Sequence, residues 1–166
     1  MSALARSLAG YREYHRDRRN VLTHAAGIPI IVLAITVLLA RPVFEIPLLG
    51  VSATPALIAA VLAAFWYLQL DTRLGLLMTV VLAVFVSVGK AIAVISVTAW
   101  VGGGIGLFVL GWALQFLGHH YEGRKPAFVD DLRSLLVGPL FVVAELAFMF
   151  GLRRQLRAQV MGGEPG

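Results

Sequence analysis

Long apolar segments dominate this 166-residue chain and limit what it can fold into. Five runs, at 27–40, 55–70, 74–89, 91–117 and 134–152, contain almost no charge. Several approach or exceed the roughly 18 to 20 residues that a helix needs to cross the hydrocarbon core. The runs do not alternate with period two, and a backbone in lipid must satisfy its own hydrogen bonds, so they predict helices. Since 59% of the residues are hydrophobic and 14% are charged, we expect an all-α, polytopic membrane helix bundle of about four to five hydrophobic helices.

The chain is expected to form a single integral membrane domain over residues 1–166. Leu4, Leu8, Tyr11 and His15 recur at helical spacing, which predicts an amphipathic interfacial helix within 1–19. The helix bundle is expected over 20–152 and a polar tail over 153–166.

Two boundaries inside the bundle depend on single residues. Asn20 is expected to be the N-cap that starts the first membrane helix. Lys90 is expected to divide the third apolar run from the fourth, although the glycines at 102–104 could equally mark that break. If the last apolar run crossed the membrane as a fifth span, the arginines that follow it would lie outside, against the usual excess of positive charge on the cytoplasmic side. Because that run contains Gly138 and Pro139, it is expected to form a broken or half-inserted helix.

Charge and cysteine content narrow the possible partners. The net charge of +5 comes largely from arginines in the first 19 residues, which should hold that segment in the cytoplasm. Nucleic-acid binding is a poor interpretation of these charges beside so much apolar surface. Because there is no cysteine, any metal must be held by His, Asp or Glu.

The four histidines of the chain all lie where an apolar segment meets a polar one. They are His15, His24, His119 and His120. Neutral imidazole is the commonest protein ligand for iron, zinc and copper, so this placement predicts one metal site at one membrane face. Adjacent helical residues point about 100° apart, so His119 and His120 can both reach one metal only at a helix terminus or a turn; the alternative is that one of the two is a ligand.

Polar residues near these histidines are candidates for supporting roles. Glu122 and Asp130 could complete the metal's ligands or hold the second nitrogen of a histidine. They could equally belong to a solvated loop beside Arg124 and Lys125. Asn20 lies four residues before His24, close enough for its amide to orient that ring.

Two further sets of residues are predicted to take part in the site. Tyr11 and Tyr14 flank His15 in sequence and are candidates for holding it in place. Glu145 lies inside an apolar run, where a carboxylate costs roughly 2.5 to 3.5 kcal/mol on insertion scales, so it is a functional candidate.

Several separated motifs resemble one known family, the fungal 2-hydroxy-palmitate dioxygenase and its bacterial relatives. The resemblance runs from about Tyr11 to Phe150, and the centre of the chain matches only as hydrophobic. The matching residues are Tyr11-x-x-Tyr14-His15, Asn20-Val21-Leu22-x-His24, Gly111-Trp112-x-x-Gln115-Phe116-x-Gly118-His119, Glu122, Pro126-Ala127-x-x-Asp130-x-Leu132, Pro139 and Glu145.

The resemblance implies an iron(II)-dependent enzyme that uses O2 to convert a 2-hydroxy fatty acid into the acid one carbon shorter. It suggests His15, His24 and His119 as the iron ligands. The expected location is a bacterial inner membrane, in contact with membrane lipids and with the site near the cytoplasmic face. Arg124 or Lys125 could attract the substrate's head group from the interface.

Two other classes of protein are compatible with the same residues. A small membrane transporter or proton-relay protein would use the histidines and Glu145 without a catalytic metal. A haem protein with two axial histidines would show a strong visible absorption band. The sequence does not indicate the oligomeric state.

Overall fold

The computed structural model describes residues 1–47 and 50–162, so the last four residues of the predicted polar tail lie outside the described part. The described helices are α1 (Ala3–Glu13), α2 (Arg18–Leu38), α3 (Pro55–Leu70), α4 (Thr72–Ile95), α5 (Gly104–Glu122), α6 (Ser134–Met149) and α7 (Arg154–Met161). A π-helical turn, Thr98–Gly103, precedes α5, and a 3₁₀ turn, Ala127–Val129, precedes α6. Strands β1 (Phe44–Ile46) and β2 (Val51–Ala53) pair antiparallel, with Glu45 opposite Ser52.

The membrane helix bundle predicted from the apolar runs is confirmed. Among the described residues, three helices are long and apolar enough to cross a membrane: α2, α4 and the 25-residue segment Thr98–Glu122. The helix α3 is also apolar but has only 16 residues. The helices α6 and α7 would together make a fourth span, but they are bent by 118° at the break between them.

Two predicted boundaries are wrong. The helix α4 runs unbroken past Lys90 to Ile95, because nothing there interrupts the hydrogen-bond ladder and a long lysine side chain can reach out along its apolar stem. The break between α4 and the next helical segment instead follows Ile95, a few residues before the glycines at 102–104. The helix α2 begins at Arg18, so Asn20 lies inside its first turn rather than at the cap. The hairpin of β1 and β2 was not predicted either.

The chain divides into two compact units, Met1–Ile28 with Leu114–Gly166, and Pro29–Ala113. The second unit contains the helical hairpin of α3 and α4. Thr54 caps α3 by accepting from Leu57 N at 3.2 Å, and Asp71 caps α4 by accepting from Leu74 N at 2.9 Å. A Cβ on Gly75 would lie 2.6 Å from Leu68 Cα, so glycine allows the two backbones to approach closely.

The first unit is built around the amphipathic helix α1. Its Leu4, Leu8 and Tyr11 are buried, and α1 packs against α6 and α7. A Cβ on Gly138 of α6 would lie 3.0 Å from the Tyr11 hydroxyl, so the aromatic ring needs a glycine opposite it. This arrangement brings the end of α1 next to the starts of α2 and α6.

Candidate metal centre

Three of the four histidines converge in the first unit. His15 lies just after α1, His24 lies in the second turn of α2, and His119 lies in the last turn of α5. Their side chains are 3%, 3% and 7% exposed. One ligand nitrogen from each can be chosen so that all three lie within 4.8 Å of one another. His120, by contrast, is exposed, and its one contact among the described residues is with the Tyr121 ring, at 6.1 Å between centroids.

Backbone carbonyls fix the orientation of two of these rings. His15 Nδ1 lies 2.7 Å from Tyr11 O, and His24 Nδ1 lies 3.0 Å from Asn20 O. A carbonyl oxygen can only accept, so each Nδ1 carries the proton and each Nε2 keeps its lone pair. Asn20 thus orients His24 through its backbone rather than through the side-chain amide that the spacing suggested.

The nitrogen positions fit a bound transition-metal ion. His24 Nε2 lies 3.2 Å from His119 Nε2, and the buried His15 Nε2 has no hydrogen-bond partner among the described residues. With a metal–nitrogen bond of about 2.1 Å, a separation of 3.2 Å corresponds to an angle of about 100° at the ion. All three nitrogens lie within 4.8 Å of one another, close to twice that bond length, so a small movement of the rings would bring them onto one ion.

The environment of His15 keeps its ring neutral. Burial lowers the pKa of His15 to about 4, so at pH 7 the imidazole is uncharged and can act as a ligand. The Tyr11 ring stacks on it, with centroids 4.1 Å apart and an interplanar angle of 12°. Phe141 lies beside both rings, with its centroid 5.1 Å from that of Tyr11 and 6.2 Å from that of His15. This aromatic stack holds His15 in place although it lies outside a helix.

Glu122 joins the end of α5 to the turn between α1 and α2. Its carboxylate accepts from Arg16 N at 3.0 and 3.1 Å, from Asp17 N at 2.8 Å and from Asn20 Nδ2 at 2.9 Å. These donors lie at the N-terminal end of α2, where a negative charge is favourable. Glu122 therefore holds together the segments that carry the three buried histidines.

Gly118 allows α5 to cross α2 beside the site. A Cβ at this position would overlap Thr23 Oγ1 and Asn20 Oδ1 and lie 3.0 Å from His24 Nδ1. A larger residue would fit only if the side chains of Thr23, Asn20 and His24 moved. The approach of His119 to His24 depends on this glycine.

The remaining predicted residues lie outside the buried cluster. Asp130 is exposed, forms an ion pair with Lys125 at 2.5 Å and accepts from Tyr14 Oη at 3.1 Å. Arg124 donates to Glu13 O at 3.2 Å. Glu145 is half-buried on α6, one turn beyond Phe141, and makes no hydrogen bond or ion pair within residues 1–47 and 50–162.

Sequence reasoning gave no role to Gln115, although the structure sets it apart. The residue is 5% exposed, and its Nε2 finds no hydrogen-bond partner in the part of the chain that the structure describes. The available signal was its spacing of four residues before His119 in an otherwise apolar helix. Gly118 belongs to one of the matching motifs, but its position at a helix crossing is visible only in the structure.

Fold and site together define a membrane helix bundle with a buried centre of three histidines. A family model described as "2-hydroxy-palmitic acid dioxygenase Mpo1-like" matches residues 1–150. The chain is 32% identical to the 2-hydroxy-palmitic acid dioxygenase MPO1 of Saccharomyces cerevisiae over 158 residues, which cover 93% of this chain and 86% of the yeast protein. No solved structure matches the chain.

The chain therefore belongs to the Mpo1-like family. The resemblance inferred from its separated motifs is confirmed. The match includes all three segments that carry the buried histidines.

Proposed function

We propose that this protein is an Fe(II)-dependent dioxygenase that carries out α-oxidation of 2-hydroxy fatty acids. The balanced reaction is R–CH(OH)–COOH + O2 → R–COOH + CO2 + H2O. The bond between C1 and C2 breaks, these two carbons lose four electrons, and O2 accepts four. The reaction therefore needs no nicotinamide or other co-substrate. The observation that carries the proposal is the cluster of three buried histidines in a family member.

Three neutral imidazoles suit iron and leave coordination positions open. Bound Fe(II) would supply a redox-active Lewis acid at which the substrate and O2 can meet. His15, His24 and His119 would hold it, with the first two kept in the required tautomer by Tyr11 O and Asn20 O. The burial of the three rings limits the access of water to the centre.

The substrate suits the surroundings of this site. Its acyl chain would lie against the apolar helices, and its carboxylate would face the histidines at the end of α5. We place this end near the cytoplasmic face of a bacterial inner membrane, because arginines crowd the first 19 residues. Arg124 and Lys125, in the loop after α5, would attract the anionic head group, although each also contacts a protein oxygen.

The three predicted carboxylates would have different tasks. Glu122, which accepts four hydrogen bonds, would position the histidines rather than act on the substrate. Asp130 would act at the loop surface, where it pairs with Lys125. Glu145 has no bonding partner in the described part and would be free to exchange a proton during the reaction.

The test is a turnover assay with purified protein. The protein is prepared in detergent without O2, loaded with Fe(II) and mixed with 2-hydroxyhexadecanoate and O2, and pentadecanoate is followed by mass spectrometry. Hexadecanoate is the control substrate, and His24→Ala is the control protein. We expect pentadecanoate only from the wild type with the 2-hydroxy acid.

Two results would contradict the proposal in different ways. Iron binding without product would show that the substrate class is wrong. No metal binding at all would favour the proton-relay alternative, in which Glu145→Gln, not chelation, should abolish function.

A further inference from the structure

Gln115 is a buried amide that the protein itself leaves without a partner. Its side chain is 5% exposed, and neither a hydrogen bond nor another polar contact joins it to any described residue. Its Nε2 is fully enclosed. A buried amide without a hydrogen bond costs about 1 to 3 kcal/mol, and an apolar residue of similar shape would avoid that cost.

The amide faces the same side of α5 as the candidate iron ligand. Gln115, Gly118 and His119 are buried, whereas Phe116, Leu117 and His120 are exposed. A separation of four residues places Gln115 and His119 on one face of the helix, about 6 Å apart along its axis. Gln115 lies on the side of His119 away from the helix end, toward the interior of the apolar run.

A ligand with an oxygen atom next to the histidines would satisfy the amide. A 2-hydroxy acid carries three oxygens on two adjacent carbons. Its polar end can therefore lie at the histidines while one of its oxygens approaches Gln115, one turn away on α5. Gln115 Nε2–H can donate to any of these oxygens. Such a group fixes orientation in a site that is otherwise apolar.

We infer that Gln115 is a substrate-binding residue whose Nε2 donates a hydrogen bond to an oxygen of the substrate's 2-hydroxy-carboxylate group. This inference rests on the proposed function, because it takes its ligand from there. It differs from the role of Glu122, whose oxygens are all engaged by protein donors.

The test uses Gln115→Met, which keeps the length of the side chain and removes its polarity. Gln115→Leu is a second apolar variant, and Leu117→Met on the exposed face of α5 is the matched control. Binding of 2-hydroxyhexadecanoate and of hexadecanoate to Fe(II)-loaded protein is measured by calorimetry without O2, so that no turnover occurs. Iron content and the thermal midpoint are recorded for each variant.

We expect Gln115→Met and Gln115→Leu to bind 2-hydroxyhexadecanoate roughly tenfold more weakly, as one lost hydrogen bond predicts. Their iron content should equal that of the wild type. Their thermal midpoints should be equal or higher, because an unsatisfied buried amide has been removed. If hexadecanoate binding is unaffected, Gln115 contacts the 2-hydroxyl; if it weakens as well, Gln115 contacts the carboxylate.

A lower thermal midpoint with unchanged binding would overturn the inference, because it would mean that Gln115 serves the fold or holds a water molecule. Unchanged binding with an unchanged midpoint would overturn it as well. If the wild type itself binds iron but not 2-hydroxyhexadecanoate, the proposed substrate is wrong and this inference falls with it. A wild type that converts the acid and variants that bind it normally would refute only the role of Gln115.

Discussion

The two compact units treat their buried polar side chains in opposite ways. In the unit of residues 29–113, the buried Thr36 donates to Leu33 O and the buried Thr54 caps its own helix. Both thus satisfy local backbone, which is what a helix in an apolar environment requires. Among the described residues of the other unit, the buried polar ones are His15, Asn20, His24, Gln115 and His119, and four of these keep an atom with no hydrogen-bond partner there.

This difference separates a scaffold from a site. Polar atoms without partners reduce stability, so a protein retains them where a ligand completes their bonding. Both units use glycine for close helix contact, but Gly118 lies against His24 and Gly89 lies against Thr36. A glycine contact of the same kind therefore supports the candidate metal centre in one unit and only the packing of helices in the other.

The largest effect is expected from removing a histidine of the buried cluster. His24→Ala should lower iron affinity by roughly 100-fold or more, since ligand loss exceeds the usual effect of losing a supporting contact. Iron content after gel filtration and turnover of 2-hydroxyhexadecanoate would measure it. His120→Ala, at the exposed neighbour of His119, is the control and should keep both. If both variants lose iron equally, the cluster of three is not the site.

Replacing the glycine at a helix crossing is expected to have different consequences in the two units. Gly118→Ala and Gly89→Ala should each cost about 1 to 3 kcal/mol of stability through overpacking. Only Gly118→Ala should also lose iron, because its Cβ would push against the His24 ring and the Asn20 side chain beside it. Thermal midpoints and iron content would show this. Iron loss in Gly89→Ala at equal stability would remove the distinction between scaffold and site.

A smaller effect is expected from the carboxylate that holds the site together. Glu122→Gln keeps one acceptor oxygen and turns an amide donor toward the N–H groups of Arg16 and Asp17. Metal affinity should fall about 10- to 100-fold, the usual effect of losing a group that supports a metal ligand. Titration with Fe(II) would measure it, and the exposed Glu45→Gln is the matched control. Turnover lost at full iron occupancy would instead place Glu122 in the reaction itself.

The smallest effect is expected at the surface pair of Asp130 and Lys125. A hydrogen bond from Lys125 lowers the pKa of Asp130 below its ordinary 3.8. Because the folded-state pKa is depressed, any stability from this pair exists above pH 3.8 and is lost as the pH falls through the folded value. Both side chains are exposed, and exposed ion pairs contribute little to stability, so Asp130→Asn should leave the thermal midpoint close to that of the wild type even at pH 7. A large loss of turnover at unchanged stability would show that Asp130 takes part in catalysis.

The features that could be predicted from the sequence are those set by residues close together in the chain. Apolar runs and the position of His15 on the face of Tyr11 depend on short-range periodicity, so the helices and the inward direction of α1 were predictable. The choice between His119 and His120 depends on which face of α5 meets α2, and that is set by Gly118, a contact between residues about a hundred positions apart.

Other features were hidden for a similar reason. Three of the four hydrogen bonds of Glu122 come from backbone N–H groups, which carry no sequence signal. Gln115 stands out because its amide lacks a hydrogen-bond partner among the described residues, and this can be seen only in the packed structure. The continuation of α4 past Gly89 and Lys90 shows that a single glycine followed by a single charged residue does not end a long apolar helix.

X-ray absorption spectroscopy at the iron edge would test the central claim most directly. The sample is wild-type protein loaded with one equivalent of Fe(II) without O2. Three buried histidines predict nitrogen or oxygen scatterers near 2.1 Å, with the outer-shell pattern of about three imidazoles. His24→Ala should lose one imidazole, whereas His120→Ala should give the wild-type spectrum. An iron environment without imidazole scattering would contradict the account.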